Sequence, residues 1–124
     1  MRNTALFVYG TLMKESVQLE IIGRVCQYKP AKMAGYSVHV GLWPYLIEQS
    51  GSEVSGMVLE GLTDTDFVNL DAYERITTIP NLPDNEMYAR RLADVTHADG
   101  THSQAWVYFP LLHKWWPEWL KKNL

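Results

Sequence analysis

The sequence has a single cysteine in 124 residues, Cys26. An intramolecular disulfide is excluded, and so is a zinc site built on several thiolates. No stretch approaches the ~20 consecutive apolar residues that span a bilayer. Near the start, only residues 5–9 run apolar before Gly10, too short for the core of an export signal. Basic clusters are missing as well. With 11 Lys and Arg against 14 Asp and Glu, the chain shows no nucleic-acid footprint. No Gly-x-x-x-x-Gly-Lys loop is present to cradle phosphates. A chain of 124 residues has no room for a two-halved dinucleotide fold. These absences predict one domain over residues 1–124, cytoplasmic, with neither a nucleic-acid nor a membrane partner.

What is abundant is aromatic surface. The chain holds 3 Phe, 5 Trp and 7 Tyr. Its apolar fraction of 47% is that of an ordinary folded protein. Residues 5–9 read as a buried strand closed by Gly10. Residues 10–13 follow as a turn, and Ser16 caps a short helix over 17–23 that stops at Gly23. Residues 25–40 alternate imperfectly around Pro30 and Gly35, as one bent strand or two short ones. A turn is expected at 41–44, a strand at 45–48, a hairpin loop at 50–52 and a partner strand at 54–59. Thr63 caps a second helix, with Asp64 and Asp66 in its first turn and Phe67, Leu70 and Tyr73 on one face. Residues 76–84 carry two prolines and read as a loop. Residues 87–97 and 103–109 form a hairpin about the Asp99-Gly100 turn. Pro117 interrupts the last segment, whose Trp-rich stretch packs on the domain or binds a partner or membrane surface. The tally is six or seven short strands with two or three short helices. It predicts an α+β fold with a compact, barrel-like, mixed but mostly antiparallel sheet.

Few residues carry obvious chemistry. His39, His97, His102 and His113 are scattered, and the pair His97 and His102, able to face each other across the hairpin, lacks a third metal ligand. No metal site is expected. Cys26 has no activating context and reads as a small buried apolar residue. Two features are sharper. Gly10 directly follows a buried strand, so the backbone can turn tightly there and approach a ligand. The next amides could form an anion-binding concavity, or the segment could be a plain strand-turn-helix. The second is Leu70-Asp71-Ala72-Tyr73-Glu74, where two acids oppose the dipole at a helix C-terminus. A partly buried carboxylate there can act as a general base; an exposed one is only a solvated surface group.

In order along the chain stand Tyr9-Gly10-Thr11-Leu12, Trp43-Pro44-Tyr45-Leu46, Gly56-x-Val58, Leu70-Asp71-x-x-Glu74 and Tyr88-x-Arg90 with Val95 beyond it. Each is weak alone. As an ordered set over residues 5–109 they resemble the γ-glutamylcyclotransferase-like, AIG2-like family. The resemblance implies a barrel with a cavity and a small-molecule γ-glutamyl substrate. It assigns Glu74 as general acid and base. It places the glutamyl group against Tyr9, Gly10, Thr11 and Leu12, with Tyr45 and Tyr88 lining the cavity. The expected reaction cyclises a γ-glutamyl amine or peptide to 5-oxoproline and frees the amine, without metal or organic cofactor. Arg75 departs from the small residue more usual after that glutamate. It could pair with Glu74, while residues 75–86 could cover the pocket as a lid. Two other roles suit the same fold: a small-ligand-binding protein without turnover, and a protein-interaction module using Trp115, Trp116 and Trp119.

Overall fold

Leu6, Phe7 and Val8 are apolar at consecutive positions, so a strand built from them must bury both of its faces. In the computed structural model they form β1 (Leu6–Val8), and all three are buried. The structure describes residues 4–40, 44–76 and 88–110; among these, the side chains at 39, 40, 44, 45, 74–76, 88, 89 and 110 are not described. The expected lid and the Trp-rich stretch over 111–124 lie outside the described residues, as does most of the expected 41–44 turn.

The chain continues through a single 3-10 turn (Thr11–Met13) into α1 (Glu15–Ile22). Gly23 ends α1 in the left-handed conformation, with φ +77°, and its amide closes on the Leu19 carbonyl. Then come β2 (Tyr28–Val40), β3 (Pro44–Leu59), α2 (Asp64–Ile76), β4 (Tyr88–His97) and β5 (His102–Pro110). The strands close a barrel in the order β1-β3-β2-β4-β5. Among the described residues only the β1–β5 seam is parallel. At the far end of the β4–β5 hairpin the Asp99-Gly100 turn forms as expected, with the Gly100 amide on the His97 carbonyl.

The architecture is therefore α+β and barrel-like, but the described residues form five strands rather than six or seven. The difference lies at two glycines. Gly35 and Gly51 both take positive φ, +86° and +84°. They stand on facing strands where the register jumps from Ala34 opposite Glu53 to Tyr36 opposite Glu48. The chain bulges at residues 49–52 instead of turning back, so the expected 50–52 hairpin does not form. Both halves of β3 pair with β2, so the segment expected over 25–40 forms the one bent strand of the two alternatives, and the strands expected at 45–48 and 54–59 become one.

Two apolar clusters result. Phe7, Met33, Leu46, Val58, Val95 and Val107 fill the barrel interior. Leu6, Val8, Leu59, Leu62, Phe67 and Leu70 pack between the barrel wall and the helices. Alternation along β1 supplies both. No helix among the described residues is long and apolar enough to cross a membrane.

The two helices are tied at one point. Thr63 caps α2 by accepting the Asp66 amide at 3.1 Å, and Asp66 returns a bond to the Thr63 amide at 2.9 Å. Arg24 grips the same carboxylate with both guanidinium nitrogens, Nη1 at 2.9 Å. Chiefly through that Arg24 bond, the Asp66 carboxyl is lowered to about 2 from an ordinary 3.8. A lowered folded-state value stabilises the protein above the unfolded-state value, and this is lost as pH falls from about 4 towards 2. Arg24 is 43% exposed, so solvent screening reduces the effect to about 1–2 kcal/mol. Between pH 7 and pH 2.5 the unfolding free energy from urea titration should fall by that much less in Asp66→Asn than in the wild type.

Candidate active site

Strand directions decide which segments meet. β1 runs antiparallel to β3 and parallel to β5, so Tyr9 leaves the sheet beside the Phe109 end of β5. Tyr88 opens β4 opposite Pro110, and Tyr45 opens β3 opposite His39 near the end of β2. Thus the segments holding Tyr9–Leu12, Tyr45 and Tyr88, 33 or more residues apart in sequence, share one mouth of the barrel.

The loop from Tyr9 to Leu12 is anchored on three sides. The Tyr9 hydroxyl donates to the Tyr108 carbonyl at 2.8 Å, and its ring stacks on Phe7. The carbonyls of Gly10 and Thr11 accept the amides of Met13 and Lys14 at 3.0 Å. The amides of Gly10, Thr11 and Leu12, which begin this single turn, have no partner within it. Beneath the loop, Gln18 is 2% exposed. Its amide nitrogen donates to the Leu12 carbonyl at 2.9 Å, and its oxygen accepts the Cys26 amide at 3.0 Å. Sequence reasoning missed Gln18, because a polar residue in a short helix carries no sign of being buried. Cys26 itself is buried, which pushes its thiol up and away from nucleophilic use.

The third anchor reaches the second motif. Thr11 Oγ1 and the Tyr73 hydroxyl share a hydrogen bond of 2.9 Å. This joins the glycine loop to the last turns of α2, where Tyr73 directly precedes Glu74. Glu74, Tyr45 and Tyr88 stand on described backbone, but their side chains, and that of Arg75, lie outside the described residues.

Asp71, the other acid of the pair, is committed to structure. Arg90 holds it at both oxygens, Nε at 2.9 Å and Nη2 at 3.2 Å, and the Tyr108 hydroxyl donates to Oδ1 at 2.5 Å. The Arg90 guanidinium lies between the rings of Phe67 and Trp106, 4.4 and 4.5 Å from their centroids. This clamp fixes α2 against β4 and β5, and so sets where the end of α2 sits at the mouth. Its signal was legible: Leu-Asp and Tyr-x-Arg recur in the same ordered set. Asp71→Ala would leave Arg90 between two rings without its counterion. A loss of about 2 kcal/mol in urea unfolding is expected, below that of a fully buried pair because both side chains are partly exposed. Asp71→Ala combined with Arg90→Met should cost less than the sum of the single changes.

Gly56 has a purely steric reason to be glycine. A Cβ there would stand 2.2 Å from the Val8 carbonyl oxygen. The histidines of the opposite end do not face each other. His102 bonds Thr96 and His97 bonds Ser103. Among the described residues no group of three acidic, His or Cys side chains could hold a metal.

The family model for γ-glutamyl cyclotransferase, AIG2-like, matches residues 6–119. The chain belongs to that family. Among its relatives, Protein AIG2 C of Arabidopsis thaliana is 31% identical over 80 residues, 58% of this chain and 48% of the relative. AIG2-like protein D of Arabidopsis thaliana is 32% identical over 75 residues, covering 58% and 49%. The chain thus spans about half the length of these curated relatives. A solution structure from Arabidopsis thaliana superposes with a TM-score of 0.72 at 23% identity, covering 87% of this chain and 68% of the other. A structure named γ-glutamyl cyclotransferase superposes with a TM-score of 0.69 at 13% identity, covering 88% and 67%. At those identities the two structures share the barrel with this family member, and no more is read from them.

Proposed function

We propose that this family member is a γ-glutamyl cyclotransferase, acting as a single domain on a small γ-glutamyl amine or peptide. The α-amine of the glutamyl group attacks its own γ-carbonyl carbon. A five-membered lactam closes, the bond to the departing nitrogen breaks, and 5-oxoproline and a free amine result. Because nucleophile and electrophile belong to one molecule, the main task is to hold the substrate in attacking shape. Glu74 takes a proton from the α-ammonium, which frees the amine to attack, and returns a proton to the departing nitrogen. The amides of Gly10, Thr11 and Leu12 take the glutamyl carboxylate or the oxyanion that develops on the γ-carbonyl. Tyr9, Tyr45 and Tyr88 line the cavity around it. No step needs a metal or an organic cofactor. One buried free cysteine suits a cytoplasmic setting.

The observation that carries this reading is the Thr11–Tyr73 hydrogen bond. It ties the loop of the first motif to the residue next to Glu74. Position 74 also continues the helix row of Phe67, Leu70 and Asp71, at the i, i+3, i+4 and i+7 spacing. The test is incubation with γ-glutamyl amines, amino acids and peptides, followed by assay of 5-oxoproline. Release of 5-oxoproline from at least one donor is the expected result. Saturable, stabilising binding with no product from any donor would replace the enzyme by a ligand-binding protein.

A further inference from the structure

Alternation along β4 sends Val95, Ala93 and then position 91 to the barrel interior, while Arg90 faces α2. The interior row therefore ends at the mouth in an exposed arginine. The Arg91 guanidinium lies over the Phe109 ring, 4.4 Å from its centroid. The ring of Tyr36 packs on the same Phe109 at 5.4 Å. Arg90 is held by Asp71, but among the described residues no carboxylate pairs with Arg91. Asp94, which borders the same space as Arg91, accepts the Gln104 amide across the β4–β5 hairpin at 3.5 Å.

The surroundings form a cleft. β2 and β4 pair only at Ala31 with His97 and Lys32 with Thr96. Beyond that the strands part, leaving about 340 Å³ bordered by Met33, Tyr36, Arg91 and Phe109. That is a small-ligand volume, at the low end of the range of about 300–1,000 Å³. It lies along the parts of β2, β4 and β5 that lead to the mouth. The Tyr9 hydroxyl bonds the carbonyl of Tyr108, the residue before Phe109, and its ring packs on the same interior cluster.

A guanidinium parked on a ring is weakly hydrated and presents a fork that matches a carboxylate. Under the cyclotransferase reading, the amides of Gly10 to Leu12 already serve the glutamyl group. Arg91 meets Phe109 from β4 while Tyr9 meets the same end of β5 from β1, so a substrate held at the glycine loop would extend its departing amine past Phe109 towards Arg91. We propose that Arg91 recognises a carboxylate on the amine portion of the substrate. The site then takes γ-glutamyl amino acids or peptides in preference to γ-glutamyl alkylamines. This assignment rests on the cyclotransferase reading and adds its substrate class.

Matched donors test it: γ-glutamyl-alanine and γ-glutamyl-alaninamide differ by one carboxylate. The acid is expected to exceed the amide by about 30-fold in kcat/KM for 5-oxoproline release, mainly through KM, as one charge-assisted contact would give. Arg91→Met should bring that ratio close to one, and Arg91→Lys should leave it between the two. A wild-type ratio near one overturns the assignment and leaves the cyclotransferase reading standing. So does a ratio that survives Arg91→Met, or turnover of γ-glutamyl ethylamine alone. If none of the three donors yields 5-oxoproline, the cyclotransferase reading fails for these classes, and calorimetry with the same acid and amide decides Arg91. Tighter binding of the acid, lost in Arg91→Met, upholds the assignment; equal binding or none overturns it.

Discussion

Glu74→Gln is expected to lower the rate of 5-oxoproline release by about a thousandfold, within the usual range for removal of a general acid–base group. Glutamine keeps the size and hydrogen-bonding capacity of the side chain. It cannot accept the proton that the α-ammonium must lose before the amine attacks, nor return one to the departing nitrogen. Substrate positioning by the glycine loop would survive, so KM should change far less than kcat. A residual rate should also remain, because folding the substrate into attacking shape is itself a large part of the catalysis. Stability should be nearly unchanged, which a thermal melt of the variant would verify. Steady-state assay of 5-oxoproline from the best donor gives the comparison. A variant with more than about a tenth of the wild-type kcat would remove Glu74 from its role, since less than one proton-transfer step would then depend on it.

Gly56→Ala should produce the largest loss of stability among these substitutions, about 3 kcal/mol, at the upper end of the usual overpacking penalty. The added methyl carbon would stand 2.2 Å from the Val8 carbonyl oxygen and 2.9 Å from Phe7 Cζ. Neither neighbour can give way cheaply. The first is backbone in the paired strand β1, and the second is a ring only 1% exposed in the barrel interior. Strand β1 or β3 must shift instead. For a domain of this size that is roughly a 10 °C drop in Tm. Because Val8 leads directly into Tyr9, activity in the folded fraction should fall too. Gly51→Ala is the informative comparison. Its φ of +84° strains an L-residue, but nothing lies within 4 Å of the new carbon. It should cost only about 1–2 kcal/mol, with the mouth of the barrel undisturbed.

The fold class could be read from the chain because the signals for it are local. Alternation marked the β4–β5 strands, Asp99-Gly100 marked their turn, and Thr63 marked the start of α2. The strand count failed where a local signal had two meanings. Ser50-Gly51-Ser52 has the composition of a hairpin loop, but a glycine with positive φ serves a bulge equally well. Which one forms depends on the facing strand, where Gly35 provides the matching bend. The start of α1 likewise shifted from residue 17 to Glu15, since the 3-10 turn feeds straight into it without a side-chain cap.

For the site, composition alone isolated the Gly10 turn and the Asp71–Glu74 pair, without choosing between ligand binding and plain structure. Tertiary structure gave Asp71 its role. Asp71 is a clamp residue because Arg90 and Tyr108, 19 and 37 positions away, converge on it. Gln18 is functional scaffolding only because Leu12 and Cys26 meet on either side of it.

By itself the sequence determined the family, the α+β class, the order of the motifs and the absence of a thiol-rich site, because residue identity and spacing alone settle these. Only the tertiary structure decided that the motif segments share one mouth, that Gly56 yields space to Val8, and that, among the described residues, Arg90 has a carboxylate partner while Arg91 has none. Those facts rest on distances between segments far apart in the chain. Such distances follow from barrel closure and register, which no local pattern encodes.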